Sequence, residues 1–234
     1  MVEIKGVEKF APKDFPGHIS STIFLPGCNF RCPFCHNVDL VLNPGSLPIY
    51  PIEFFRKYLE SRTGWLDGIC ITGGEPLIHN DLEPLLKTIK GRNLLVKLDT
   101  NGSFPDKLKA FLDSNLVDYV AMDFKAPIEK YESAAGVPVD TKNIMKSVDM
   151  ILKSGIDYIF RTTVVPGLID KEDIDLIGKQ LKGCTRFQIQ QFSPSRTLDE
   201  SYAHLKPYKE DTLREFEEIA RSYFDEVLIE GLSK

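Results

Sequence analysis

Apolar positions along the chain follow two alternating patterns. Runs of successive apolar residues, typical of strands buried on both faces of a sheet, alternate with stretches whose apolar residues recur every three or four positions, typical of amphipathic helices. The strand-like runs are 2–10, 19–25, 67–71, 94–98, 117–122, 157–165, 187–191 and 227–229. The helix-like stretches are 80–90, 106–114, 142–154, 171–181 and 209–224, preceded by one that begins at Pro51. This alternation predicts parallel βαβ units.

The number of these units limits the fold. A complete (β/α)8 barrel needs eight of them, and only about six are present. The pattern therefore predicts an α/β fold, either a partial (β/α)6 barrel of parallel strands or a doubly wound sheet. Within the 234 residues, no linker, low-complexity tract or block of like charges divides the chain. We expect residues 1–234 to form a single domain.

Three cysteines follow the strand-like run 19–25. Cys28, Cys32 and Cys35 have the spacing C-x-x-x-C-x-x-C. Three thiolates on one loop can hold three corners of a four-iron cluster, which is usually bound by four cysteines. One iron would then lack a protein ligand and become available for chemistry. The alternative is a structural zinc site with His36 as the fourth ligand.

Polar residues and glycines also follow the other predicted strands. In a parallel α/β sheet, ligand-binding residues collect at the carboxyl ends of the strands. Taken singly, the two glycines also suit a tight turn, the Asp99 segment a turn or a helix cap, and Asp123 with Lys125 an exposed ion pair. Their joint position on one rim favours a ligand site. The candidates are Gly73, Gly74 and Glu75, then Asp99, Thr100 and Asn101, then Asp123 and Lys125, and finally Arg161.

These residue types suggest chelation of a ligand that carries an amine and a carboxylate. The two glycines would let the backbone approach the ligand closely, and Glu75 could accept from its ammonium or hydroxyl groups. Lys125 or Arg161 could pair with its carboxylate. Asp99 and Asp123 could hold a ribose hydroxyl or a small cation.

Composition restricts the partners. The formal net charge of −5 gives no general attraction to nucleic acid or to an anionic membrane. No apolar run reaches the length of a membrane span, and the first residues do not resemble a signal sequence, so we expect a cytoplasmic protein without nucleic-acid or membrane partners. Cys70 and Cys184 lie apart from the other cysteines and are expected to be small buried side chains.

Several motifs resemble a known family. The cysteine motif, with aromatic Phe34 before its last cysteine, and the GGEP motif at 73–76 resemble the radical S-adenosylmethionine superfamily. The segments 27–37, 98–102, 123–125 and 164–167 resemble the glycyl-radical-enzyme activating enzymes within it. The likeness is greatest to activating proteins of anaerobic ribonucleoside-triphosphate reductase. It extends over residues 14–194.

This resemblance implies a radical-SAM-type barrel with one 4Fe-4S cluster and S-adenosylmethionine (SAM), the fourth iron being chelated by the methionine part of SAM. It implies that the cluster is bound by Cys28, Cys32 and Cys35. The methionine amine of SAM would be contacted by Gly73, Gly74 and Glu75, the adenine by the Phe34 backbone, and the cofactor carboxylate by Lys125. Further contacts to the cofactor and to a monovalent cation would come from Asp99, Thr100 and Asp123. Asn101 belongs to the same motif as Asp99. A monovalent cation is therefore a further candidate cofactor.

The resemblance also implies a reaction. One electron cleaves SAM, and the 5′-deoxyadenosyl radical takes a hydrogen atom from a glycine of a partner enzyme. The expected partners are a glycyl radical enzyme, foremost anaerobic ribonucleotide reductase, and a reduced flavodoxin- or ferredoxin-type electron donor. Pyruvate formate-lyase relatives carry a histidine where this chain has residues 191–194 without one, which argues against that partner. The alternatives are a small-molecule radical enzyme such as 7-carboxy-7-deazaguanine synthase and, more remotely, a zinc-stabilised interaction module.

Overall fold

The computed structural model describes residues 2–232. Within residues 2–232 the chain forms an eight-stranded sheet, most of whose strands are rich in apolar, β-branched residues. They are β1 (Gly6–Glu8), β2 (Ser20–Leu25), β3 (Gly68–Gly73), β4 (Leu95–Thr100), β5 (Tyr119–Asp123), β6 (Asp157–Val164), β7 (Arg186–Gln191) and β8 (Glu226–Glu230). The strands follow one another in the sheet in chain order.

Amphipathic helices lie between the strands. They are α1 (Val38–Leu42), α2 (Ile52–Ser61), α3 (Glu83–Lys90), α4 (Pro105–Asp113), α5 (Tyr131–Ala135), α6 (Thr141–Ser154), α7 (Lys171–Gln180) and α8 (Glu210–Ala220). Their ends follow local chemistry. Proline takes the first position of α4, where a missing N–H costs nothing, and a capping box of Asp170 and Asp173 begins α7.

The strand pairing confirms the predicted α/β fold class. β2 pairs with β3, β3 with β4, β6 with β7 and β7 with β8, all in parallel. β1 pairs with β2 in the antiparallel direction, on the edge of the sheet. Parallel strands bring their carboxyl ends to one edge of a sheet. Because β3 and β4 are parallel neighbours, the polar segments that follow them begin at the same edge.

The chain packs as two compact units. Of the described residues, the first comprises 2–29, 39–100 and 104–121, and the second comprises 30–38, 101–103 and 122–232. In the first unit Ile23, Ile71 and Leu98 are fully buried. In the second, Phe160 and Ile189 are fully buried, and Phe187 stacks on Phe224 with ring centroids 4.6 Å apart. Each unit therefore has its own apolar core. The single-domain organisation stays a prediction.

The structure differs from the predicted elements mainly at short helices. α1 and α5 were not predicted, because five residues are too few to show a helical period. α3 begins at Glu83 rather than at residue 80, and a 3-10 turn (Pro76–Ile78) precedes it. Between residues 2 and 232, no helix has the length and apolar character needed to cross a bilayer.

Candidate functional site

In the first unit, the turn after β3 lies against the chain that leads into the first cysteine. Gly73 has a φ of +120°, and a Cβ there would lie 2.3 Å from the carbonyl oxygen of Leu25. A Cβ on Gly74 would lie 1.7 Å from the carbonyl oxygen of Gly27. The amide of Gly74 donates to Leu25 (3.0 Å), and that of Glu75 donates to Gly27 (2.9 Å). The glycines thus have a role inside the chain, and their approach to a ligand stays a prediction.

Glu75 is held in one orientation by the chain. Its side chain is 1% exposed, and Oε1 accepts from the backbone amide of Leu77 and from Oγ1 of Thr100, both at 2.9 Å. Because a buried carboxylate needs such donors, Thr100 orients Glu75 in this structure. The predicted contact of Thr100 with a cofactor stays a prediction.

Asp99 lies in a buried polar cluster that the sequence analysis missed. Lys97, 3% exposed, forms an ion pair with Asp99 and lies 3.5 Å from the sulfur of Cys70. Cys70 is buried as expected, but it contacts charged groups rather than only apolar side chains. The available signal was a lysine in the middle of an apolar strand, where an unpaired ammonium would be costly.

In the second unit, residues 30–38 are fixed at two backbone points. The amide of Arg31 donates to the carbonyl of Ala135 in α5 (2.8 Å), and the amide of Asp199 donates to the carbonyl of Pro33 (2.9 Å). Asp199 lies in the segment between β7 and α8, far along the chain from Pro33. These anchors restrict the backbone that carries Cys32 and Cys35, and sequence reasoning found neither of them.

Replacing Gly136 by alanine should test the first anchor. Gly136 ends α5 with a φ of +69°, and a Cβ there would lie 2.1 Å from the carbonyl oxygen of Arg31. Strain and overlap together should lower the free energy of unfolding by about 2–4 kcal/mol. Gly155→Ala is a matched control, since Gly155 ends α6 with a φ of +76° and open space around a Cβ. It should cost about 1 kcal/mol. Urea unfolding measures both, and equal losses would contradict the anchor.

The cysteines of the second unit lie on a turn. The amide of Cys35 donates to the carbonyl of Cys32 (3.0 Å), and Cys32 and Phe34 are buried. Burial raises the pKa of Cys32 to about 11, against the opposing effect of the Lys125 ammonium. Burial also raises the pKa of Cys35. Both thiols are therefore protonated near neutral pH, and metal binding would have to displace their protons.

Asp123 at the end of β5, Lys125 just after it and Arg161 within β6 form a charged triad. Asp123 Oδ2 accepts from Lys125 Nζ (2.9 Å), and Oδ1 accepts from Arg161 Nε (2.8 Å). Burial alone would raise the pKa of Asp123, but the two cations outweigh it and hold that pKa well below its usual range. Burial would likewise lower the pKa of Lys125, but Asp123 holds it above its usual range. The triad is fully ionised at neutral pH.

Two amides complete the second unit's candidate residues. Asn101 Oδ1 accepts from the backbone amide and the hydroxyl of Ser103 (3.0 and 2.6 Å), which is a turn role. Gln191, the last residue of β7, donates through Nε2 to the carbonyl of Tyr208 (2.7 Å). Its Oε1 is buried and has no hydrogen-bond partner in the part of the chain that the structure describes.

The metal assignments stay predictions. His36, the fourth ligand of the zinc alternative, is exposed. Among residues 2–232, no three His, Cys, Asp or Glu side chains are grouped in a way that could hold a metal ion. Cys184 is buried, its sulfur lies 3.2 Å from the carbonyl oxygen of Arg186, and burial raises its pKa to about 12.

Comparison with known proteins gives matches along most of the chain. The profile of the Radical SAM superfamily matches residues 22–179, more than half of the chain. A Methanocaldococcus jannaschii protein with the provisional name glycyl-radical enzyme activating enzyme is 34% identical over 98% of this chain and 96% of its own length. The pyruvate formate-lyase-activating enzyme of Streptococcus mutans is 28% identical over 80% of this chain and 75% of its own length.

Solved structures show the same fold. Streptococcus suis SuiB bound to precursor peptide SuiA superposes with a TM-score of 0.68 at 16% identity. The match covers 88% of this chain and 47% of SuiB, so the chain spans about half the length of that protein. SuiB bound to S-adenosylmethionine superposes with a TM-score of 0.62 at 16% identity, covering 91% of this chain and 46% of SuiB.

Proposed function

Since the chain belongs to the radical SAM superfamily, we propose that it activates a glycyl radical enzyme with a 4Fe-4S cluster and SAM. A bound cluster would supply the one electron needed to cleave SAM to methionine and a 5′-deoxyadenosyl radical, and that radical would take a hydrogen atom from a glycine of the partner. The observation that carries this proposal is the match to an activating-enzyme relative along almost the whole of both chains.

The donor chemistry of the chain fits the cluster. Cys28, Cys32 and Cys35 would hold it, because thiolates are the usual protein ligands of iron–sulfur clusters. Cys32 and Cys35 lie on a turn whose backbone is held by hydrogen bonds at Arg31 and at Pro33, so the chain that carries Cys32 is fixed on both of its sides. Burial raises the pKa of both thiols, and the Lys125 ammonium opposes that rise, so Lys125 would stabilise the thiolates that a metal requires.

Other side chains fit the polar ends of SAM. Glu75 presents an oriented carboxylate, which suits the methionine ammonium. In the second unit, Lys125 and Arg161 lie on either side of the Asp123 carboxylate, and cations of this kind suit the carboxylate of SAM. The buried Oε1 of Gln191 is an acceptor that a ligand hydroxyl or amine could satisfy. Phe34, Gly73, Gly74, Asp99, Thr100, Asn101 and Asp123 complete the proposed site.

We further propose anaerobic ribonucleotide reductase as the partner and a reduced flavodoxin- or ferredoxin-type protein as the electron donor. Two features of the sequence support this partner. The segments that resemble the glycyl-radical-enzyme activating enzymes have their greatest likeness, taken together, to the activating proteins of this reductase, and residues 191–194 lack the histidine of the pyruvate formate-lyase relatives. We also propose that the protein is cytoplasmic.

The test is SAM cleavage by the anaerobically reconstituted, chemically reduced protein. We expect 5′-deoxyadenosine and methionine from the wild type and from Cys184→Ala, and neither product from Cys32→Ala. Cys184 is a fair control because it is also a buried thiol. A glycyl radical signal in electron paramagnetic resonance, after mixing with anaerobic ribonucleotide reductase, would identify the partner.

Three other outcomes would change the conclusion. SAM cleavage that never yields a radical on a glycyl radical enzyme would favour a small-molecule reaction such as that of 7-carboxy-7-deazaguanine synthase. Colourless, zinc-loaded protein that binds no SAM would overturn the radical function. Signal on another glycyl radical enzyme, with none on the reductase, would correct only the partner.

A further inference from the structure

Both aspartates that sequence reasoning offered to a small cation already have cations of the chain beside them. In the first unit, Asp99 forms an ion pair with Lys97. In the second unit, Asp123 forms ion pairs with Lys125 (2.9 Å) and Arg161 (2.8 Å). Each carboxylate is therefore neutralised within its own unit.

The register of the sheet places Lys97 beside Asp99. Lys97 and Asp99 are two residues apart on β4, so their side chains leave the same face of the sheet. Lys97 lies opposite Cys70 of β3, whose small side chain leaves room for the lysine stem. The side chain of Lys97 is 4% exposed and that of Asp99 is 14% exposed.

The burial of Lys97 and Asp99 favours their ion pair over separate charges. A charge that is removed from water is tolerated when an opposite charge lies next to it. A metal cation at the same carboxylate would meet the lysine ammonium at short range, where repulsion is strong. Lys97 thus supplies at Asp99 the positive charge that a monovalent cation would otherwise supply.

We propose that Lys97 is a built-in cation that positions Asp99, so that this protein binds SAM without a bound monovalent cation. The inference rests on the proposed function, since SAM is its ligand. It replaces the expected monovalent cation with a residue of the chain. Lys97 acts through Asp99 and is therefore a positioning residue.

The first experiment measures the affinity for SAM of the anaerobic holoprotein in sodium, potassium or tetramethylammonium chloride at equal ionic strength. The wild type should bind equally well in all three. Lys97→Met should bind at least about fivefold more tightly in sodium or potassium than in tetramethylammonium, the lower end of usual coupling between two bound ligands. Lys97→Arg, which keeps the positive charge, should bind SAM equally well in all three salts, as the wild type does.

The second experiment needs no cofactor. The melting temperature of the full apo chain is measured in the same three salts. Lys97→Met should melt a few degrees higher, about 2–4 °C, in sodium or potassium, because a metal ion then neutralises Asp99. The wild type should not distinguish the salts. Lys109→Met is the control, since Lys109 pairs with Asp113 on the exposed face of α4.

The outcomes separate this inference from the proposed function. Wild-type binding that disappears in tetramethylammonium and returns with sodium or potassium would overturn the inference. So would a Lys97→Met variant that is indifferent to the salt in both experiments. If the wild type binds no SAM in any salt, the proposed function fails and the melting series decides about Lys97. If Lys97→Met does not fold, Lys97→Gln and the wild-type series decide.

Discussion

Gly74→Ala should destabilise the protein severely and abolish SAM binding. The new methyl group would lie 1.7 Å from the carbonyl oxygen of Gly27 and 3.2 Å from the amide nitrogen of Cys28. Both neighbours are backbone atoms, so no side-chain rotation can relieve the overlap. Overpacking and two strained backbone hydrogen bonds should together cost about 3–5 kcal/mol. Displacement of Cys28 should also lower the iron content.

The measurements are urea unfolding of the apo chain and iron content with SAM affinity after reconstitution. Gly45→Ala is the matched control, because the same substitution there adds a methyl group with nothing within 4 Å. It should leave all three quantities near the wild-type values. A Gly74→Ala protein of wild-type stability and affinity would show that the turn after β3 does not need this close approach.

Most of the fold could be predicted because its signals are local. Strands buried on both faces give continuous apolar runs, and the runs at 19–25 and 187–191 coincide with β2 and β7 within one residue. Helix ends were less accurate, since they depend on caps and turns. The short helices α1 and α5 were not predicted, because a helix of about one and a half turns is too short to show a hydrophobic period.

The candidate residues that could be predicted are those whose chemistry depends on residues close together in the sequence. Cysteine spacing and the position of polar residues after strands are visible in the chain itself. The ion pair of Lys97 with Asp99 needed the register of the sheet as well as the residues. The hydrogen bond from Asp199 to Pro33 joins segments distant in sequence, and no local pattern encodes it. The sequence does carry one signal for the pair of Lys97 and Asp99, because a lysine inside an apolar strand such as β4 requires an acidic partner.

Asp123→Asn should be the most damaging single loss of charge in the second unit. It would leave Lys125 and Arg161, whose side chains are only 15% and 14% exposed, without their carboxylate. Removing one partner from a buried ionic group costs about 3–5 kcal/mol, and the quarter exposure of Asp123 reduces this to about 2–3 kcal/mol. Asp149→Asn is the control, because its pair with Lys153 is exposed, and it should cost no more than about 0.5 kcal/mol.

The loss should depend on pH in a defined direction. The folded pKa of Asp123 is lower than its pKa of about 3.9 in an unfolded chain. Its pairing therefore stabilises the folded state above about pH 4, and this stabilisation is lost as the pH falls toward the folded pKa. Urea unfolding of wild type and Asp123→Asn should show the largest difference near neutral pH and a shrinking difference in acid. A difference that stays constant down to about pH 3, or that grows there, would mean that the charge of Asp123 does not hold the triad together.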